Sequence, residues 1–200
     1  MKKLNLPNTL SLLRVLMVPL FMAAVVFLPQ RGESFLATLG LCAVPAALFG
    51  LTAYTDHLDG KIARKYNLIT DFGKFIDPLA DKFMVFGALI AILVSRPDIA
   101  PLFVWVAAII MLRELAVTSL RLVVASSAGK VVAASFWGKA KTATQCVAIL
   151  LILLEPAILY AAEGFPPVCS YVAMLAMLIT TVGSGIDYLR VYMPYIDTNK

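Results

Sequence analysis

The chain has 200 residues, of which 61% are hydrophobic and only 14% charged, with a formal net charge of +5 at pH 7. So apolar a composition excludes an ordinary soluble domain and points to a protein that crosses a membrane several times. The positive balance suits anionic lipid headgroups, and no nucleic-acid partner is expected.

Six apolar stretches follow one another, at about Thr9–Leu28, Phe35–Tyr54, Asp77–Val94, Ala100–Val123, Ala143–Tyr160 and Pro167–Leu189. Most are near the length a bilayer core requires, so the expected fold is all-α, a polytopic membrane protein with six transmembrane helices. Met1-Lys2-Lys3 before the first stretch imitates a signal peptide. The stretch is too long for one and Arg14 interrupts it, so a retained helix is expected. Leu4 to Leu12 are expected to lie along the interface as an amphipathic lead-in. The third stretch reaches spanning length only if its helix begins within a run of aspartates, which places Asp77 and Asp81 on the first turns of a membrane helix. Short loops and the absence of repeats give a single domain over residues 1–200.

Charge sets the orientation. Lys2, Lys3, Arg14, Lys61, Arg64, Lys65, Lys74, Lys82, Arg113, Arg121, Lys130, Lys139, Lys141, Arg190 and Lys200 fall toward one side. Arg31 and Arg96 fall toward the other, with Glu33, Asp98, Glu155 and Glu163. The positive-inside rule makes the first side cytoplasmic, so both termini and the polar site face the cytoplasm of a multi-pass cell-membrane protein. Cys42, Cys146 and Cys169 are scattered in apolar stretches and read as buried small hydrophobes. His57, the single histidine, rules out a multi-histidine zinc site.

The chemistry concentrates in Asp56, Asp59, Asp77 and Asp81. Ionised carboxylates beside hydrocarbon each cost several kcal/mol unless neutralised, so four together imply a shared counter-charge. Asp56 and Asp59 are spaced i,i+3 and Asp77 and Asp81 i,i+4, so each pair lies on one helix face. Two such faces meeting would form an all-oxygen cage suited to Mg²⁺ or Mn²⁺. A plainer reading exists for single residues. Asp77 before Pro78 looks like a helix N-cap followed by proline at N1. Gly60 and Gly73 suit helix packing, and Asp71 reads as a solvated loop carboxylate. No run of caps accounts for Asp56, Asp59 and Asp81 on helix faces.

The run Asp56-x2-Asp59-Gly60-x2-Ala63-Arg64-x8-Gly73-x3-Asp77-x3-Asp81 resembles the signature of the CDP-alcohol phosphatidyltransferase family, with every fixed position filled. The resemblance implies an enzyme that moves a phosphatidyl-type group from a CDP-linked donor to an alcohol and releases CMP. It implies Asp56, Asp59 and Asp77 as metal ligands for what are expected to be two divalent ions. Asp81 is then the general base for the acceptor hydroxyl and a further contact to the metal. The CDP donor is expected on Asp59, Gly60, Ala63, Arg64, Gly73 and Asn8. Small residues there admit a phosphate or base to the backbone, and Arg64 offers a planar donor. A homodimer is implied as well, with Gly183, Ser184 and Gly185 as a small-residue surface for it.

Arg113, Arg121, Lys139 and Lys141 are more cation than anchoring beside a helix end requires, and they suggest a phosphorylated acceptor. Asn5-Leu-Pro-Asn8-Thr-Leu-Ser-Leu-Leu-Arg14, the block Arg113-Glu114 to Arg121, and Gly138-Lys139-Ala-Lys141-Thr142 before the fifth stretch resemble the phosphatidylglycerophosphate synthase branch. In that branch CDP-diacylglycerol and glycerol-3-phosphate give phosphatidylglycerol phosphate and CMP. His57 departs from the bulky aromatic common there. Two alternatives stand beside this reading. One is the same chemistry on another acceptor, as in synthases for cardiolipin, phosphatidylserine or an inositol-phosphate lipid. The other is a membrane cation transporter, against which the aspartates cluster at one end rather than at the midplane.

Overall fold

A computed structural model describes residues 6–65, 70–128, 136–162 and 164–195; within these, the side chains of residues 6, 7, 56–65, 71, 74, 125–128 and 195 lie outside the description. The described residues form six long helices and no strand. These are α1 (Leu6–Phe27), α2 (Phe35–Lys65), α3 (Asp71–Ser95), α4 (Ala100–Ala128), α5 (Phe136–Ile158) and α6 (Val168–Tyr192), followed by a 3₁₀ turn at Met193–Tyr195. All six carry a segment long and apolar enough to cross a bilayer. A chain in hydrocarbon must satisfy its backbone within each segment, which is why apolar runs of this length become helices. An even number of spans puts Leu6 and Tyr192 at the same face of the bundle.

The helices are longer than their apolar spans, and the excess carries the polar site. The apolar part of α2 is Phe35–Thr55, so Asp56–Lys65 continues as helix beyond it. The apolar part of α3 is Phe75–Ser95, which leaves Asp77 and Asp81 on the first turns of the span. Sequence hydropathy ended the second stretch at Tyr54 and began the fifth at Ala143. The helices persist because hydrogen bonding of the backbone continues after the side chains turn polar. Gly138–Thr142 is therefore helical within α5 rather than a segment before it. From Leu6 onward the expected interfacial lead-in forms the first turns of α1, continuous with its span.

α1 packs on α2 and α3, α2 on α5, α5 on α6 and α6 on α4. The core lies on the side away from the aspartates. Val18, Phe21 and Val25 of α1 meet Phe49 of α2, Leu89 and Ile92 of α3, and Ile149 and Ile152 of α5 there. The Phe21 and Phe49 rings sit 5.6 Å apart. Gly87 lets α1 and α3 approach closely, because a Cβ there would lie 2.7 Å from Val18 Cγ1 and 3.1 Å from Met22 Sδ. Outward faces are apolar too, as at Leu20, Trp105, Leu112 and Val172, all exposed. An exposed apolar belt of that extent is what lipid covers.

Candidate active site

At the motif face the first turns of α1 and α3 are tied together. Thr70 caps α3: its Oγ1 accepts the Gly73 N–H at 3.0 Å and donates to Asn8 Oδ1 at 2.9 Å. Ser11, one turn along α1, donates to Asp77 Oδ1 at 2.5 Å. Asn8, Ser11 and Arg14 are all buried and lie on the α1 face that continues as Val18, Phe21 and Val25. Gly73 has no room for a side chain. A Cβ there would lie 3.0 Å from Asn8 Oδ1, 3.3 Å from Thr70 Oγ1 and 3.8 Å from Asp77 Oδ2. Thr70 rather than Asp77 is thus the cap of α3, and Pro78 falls inside the helix. Asp71, expected in a loop, is the first residue of that helix.

Asp77 and Asp81 are both exposed and one turn apart on α3. Asp77, with Asn8, Thr70 and Ser11, sets side-chain oxygens around Gly73, a donor set whose chemistry fits a hard divalent cation, and Asp81 stands one turn further along α3. Asp56, Asp59, Gly60, Ala63 and Arg64 occupy the last turns of α2; their side chains lie outside the described residues. Among the described residues no group of three or more His, Cys, Asp or Glu converges.

A second polar cluster joins α4, α5 and α6 at the same face. Glu114 pairs with Arg113 at 3.0 Å and with Lys141 of α5. Asp81 of α3 also attracts Lys141, which links the cluster to the aspartates. Arg113 Nη2 donates to Ser184 Oγ on α6, while its Nε has no hydrogen-bond partner. Arg121 donates through Nη2 to the Tyr188 hydroxyl. Nearby on these helices, the Gln145 amide and the Thr181 hydroxyl are buried without a hydrogen-bond partner. Arg113, Arg121 and Lys141 are therefore brought into one network. Lys139 is not: it is exposed where Lys141 is buried, as two residues' separation on a helix dictates.

Gly183, Ser184 and Gly185 do not form a free surface for a second subunit. A Cβ at Gly183 would lie 3.0 Å from the Trp137 ring, one at Gly185 would lie 3.5 Å from Arg113 Cγ, and Ser184 bonds Arg113. Their smallness serves the packing of α6 on α5 and α4 within the protomer. Ser11, Thr70 and Tyr188 were not singled out from sequence, and Ser184 only as part of a small-residue surface. A signal existed for two of them. Thr70 before Asp71 is a cap pattern, and Asn8, Ser11 and Arg14 form a polar stripe at helical spacing on an apolar helix.

At the opposite face a third polar group closes the bundle. Arg96 bonds Asp98 at 2.7 Å, Glu155 at 2.8 Å and the Ile152 carbonyl at 2.9 Å. Glu155 also accepts from the Ser170 N–H at 3.0 Å and from its hydroxyl. The Arg96 guanidinium hydrogen-bonded to Asp98 holds that carboxyl below the usual carboxylate range.

Comparison with known proteins identifies the family. The profile of the CDP-alcohol phosphatidyltransferase family matches residues 4–183. A CDP-diacylglycerol–glycerol-3-phosphate 3-phosphatidyltransferase of Bacillus subtilis is 40% identical over 190 residues, covering 92% of this chain and 93% of that protein. A probable phosphatidylglycerophosphate synthase of Mycobacterium tuberculosis is 39% identical, covering 92% of this chain and 80% of that protein. A CDP-diacylglycerol–glycerol-3-phosphate 3-phosphatidyltransferase of Haemophilus influenzae is 33% identical, with 94% of each chain covered. The oxygen-lined start of α3, the aspartate run and these likenesses agree, and the chain belongs to the CDP-alcohol phosphatidyltransferase family.

Proposed function

We propose that this protein transfers the phosphatidyl group of CDP-diacylglycerol to glycerol-3-phosphate, releasing CMP and phosphatidylglycerol phosphate. The observation that carries the choice of acceptor is the pairing of Arg113 and Lys141 with the single carboxylate of Glu114, with Arg121 beside Arg113 at Tyr188. Asp81 stands on α3, which packs against α4. A surplus of cations beside the reacting carboxylate suits an acceptor that brings its own phosphate. The names of the relatives in Bacillus subtilis and Haemophilus influenzae point to the same pair of substrates.

Each residue then has a task. Asp81, exposed at the membrane edge, takes the proton of the acceptor hydroxyl as that oxygen attacks the phosphatidyl phosphorus. The bond from that phosphorus to the CMP oxygen breaks and CMP leaves. Asn8, Thr70 and Gly73, packed together at the α3 terminus, are the residues that would meet the donor's phosphates. Arg64 and the end of α2 hold the nucleotide side. Asp56, Asp59 and Asp77, with Asp81, would hold Mg²⁺ or Mn²⁺, as a pair of ions by analogy with other two-ion phosphoryl-transfer sites. When bound, such ions neutralise the pyrophosphate and align attacking and leaving oxygens.

The motif face is read as cytoplasmic, since Lys82, Arg113, Arg121, Lys139 and Lys141 lie toward it and Arg31 and Arg96 toward the other. A homodimer in the cell membrane completes the proposal. A cation path is disfavoured because the carboxylates cluster at helix ends rather than at mid-membrane. The decisive experiment follows CMP release by the purified protein from CDP-diacylglycerol, offered glycerol-3-phosphate, serine, inositol phosphate or phosphatidylglycerol. Release with glycerol-3-phosphate alone supports the proposal. Release with another acceptor keeps the chemistry and overturns the substrate.

A further inference from the structure

Tyr188 on α6 is buried at 4% exposure, yet two guanidinium groups of α4 converge on it. Arg113 Cζ lies 5.3 Å and Arg121 Cζ 4.7 Å from the ring centroid. Both are within the roughly 6 Å at which a ring face attracts a cation. The Tyr188 hydroxyl accepts from Arg121 as well. The ring is itself fixed. It stacks on Tyr192 with centroids 5.7 Å apart and an interplanar angle of 27°, and Val117 and Val124 of α4 pack with the pair. Two like charges drawn to one aromatic ring repel each other, so fold stability alone gives no reason to gather them. A guanidinium serving only as an anchor would extend to the headgroups rather than bond a buried phenol. Arg121 is exposed, so the donors it does not give to Tyr188 face solvent.

We infer that Tyr188 is a positioning residue that holds Arg113 and Arg121 as a two-guanidinium clamp for the phosphate of the acceptor. This rests on the acceptor reading above. The phenol acts through the arginines: its hydroxyl fixes the direction of Arg121, and its ring face offsets the mutual repulsion of the two cations. Without it Arg121 regains rotamers while Arg113 keeps only Glu114 and Ser184, and a bound phosphate must order the pair at its own expense.

The test is steady-state kinetics of Tyr188→Phe, Tyr188→Leu, Arg121→Gln and the double variant Tyr188→Leu/Arg121→Gln, each scaled to folded protein. Tyr188→Phe keeps the ring and loses the hydroxyl, and should raise KM for glycerol-3-phosphate by about three- to tenfold. Tyr188→Leu should raise it by about ten- to a hundredfold, as Arg121→Gln does. KM for CDP-diacylglycerol should stay unchanged in all of them. The double variant should be little worse than either single one, because the two residues act as a unit. Should Tyr188→Leu not fold, Tyr188→Phe carries the test. If Arg121→Gln raises the acceptor KM and both Tyr188 variants leave it unchanged, or the effects simply add, the positioning role is overturned. If Arg121→Gln itself leaves the acceptor KM unchanged, the acceptor reading fails with it.

Discussion

The two buried ion networks of this bundle, one at each face, are built on opposite principles. Around Arg96 the polar groups saturate one another: the guanidinium meets Asp98, Glu155 and the Ile152 carbonyl, and Ser170 fills the remaining oxygens of Glu155. Around Lys141 they do not. Arg113 and Lys141 share Glu114, Arg121 bonds the Tyr188 phenol instead of a carboxylate, and Arg113 Nε, the Gln145 amide and the Thr181 hydroxyl go without a partner. Unmatched buried groups are costly, and a fold keeps them where a ligand completes them. The first network is a clamp that joins α3, α5 and α6; the second leaves cations in excess of its carboxylate, as the proposed acceptor site requires.

The sharpest break is expected at the four aspartates of the motif face. Asp56→Asn, Asp59→Asn and Asp77→Asn should each abolish CMP release while the protein stays in the membrane, because shape is kept and charge is lost. EDTA should silence the wild type, and Mg²⁺ or Mn²⁺ should restore it. Asp81→Asn should lower kcat by about a hundredfold or more, the scale of losing a positioned base. Donor binding should survive better in that variant than in Asp59→Asn, as measured by titration with CDP-diacylglycerol.

The clamp should fail in a different currency. Arg96→Gln strands Glu155 as a buried charge and should cost about 3–5 kcal/mol of stability. Thermal unfolding in detergent would register this, with both KM values unchanged per folded molecule. Replacing Arg96 and Glu155 together by Met and Leu should recover much of the loss.

A smaller effect concerns pH. Asp98 has its folded-state pKa depressed by Arg96, so the unfolded chain binds the proton more readily. Its contribution is present above the unfolded value of about 3.9 and is lost as pH falls through the folded one. The wild type should therefore lose thermal midpoint below about pH 4 more steeply than Asp98→Asn. Parallel curves would remove Asp98 from the clamp.

How much of this was legible in the sequence follows from the range of each interaction. The six spans were, because apolar runs of that length have no other use. The placement of Asp56 and Asp59 on α2 and of Asp77 and Asp81 on α3 was, because helical spacing is local. Helix ends were not: α2 runs to Lys65 and α5 begins at Phe136, in polar sequence where hydropathy falls but the helix continues. The contacts of Arg113 with Ser184 and of Arg121 with Tyr188 span 71 and 67 residues. No local pattern shows that α4 lies beside α6. The same blindness made Gly183 to Gly185 read as a surface for a partner, when Trp137 and Arg113 already fill it.

The most direct measurement compares one cation from each network. Lys141→Gln and Arg96→Gln would be purified in parallel and KM for glycerol-3-phosphate and for CDP-diacylglycerol measured on the folded fraction. A charge-assisted contact to phosphate contributes about 1.5–3 kcal/mol, so Lys141→Gln should lower kcat/KM for glycerol-3-phosphate by about ten- to a hundredfold and leave KM for CDP-diacylglycerol unchanged. Arg96→Gln should change neither. An unchanged acceptor KM in Lys141→Gln, or an equal shift in both variants, would contradict the assignment of the motif-face cluster as the acceptor's phosphate site.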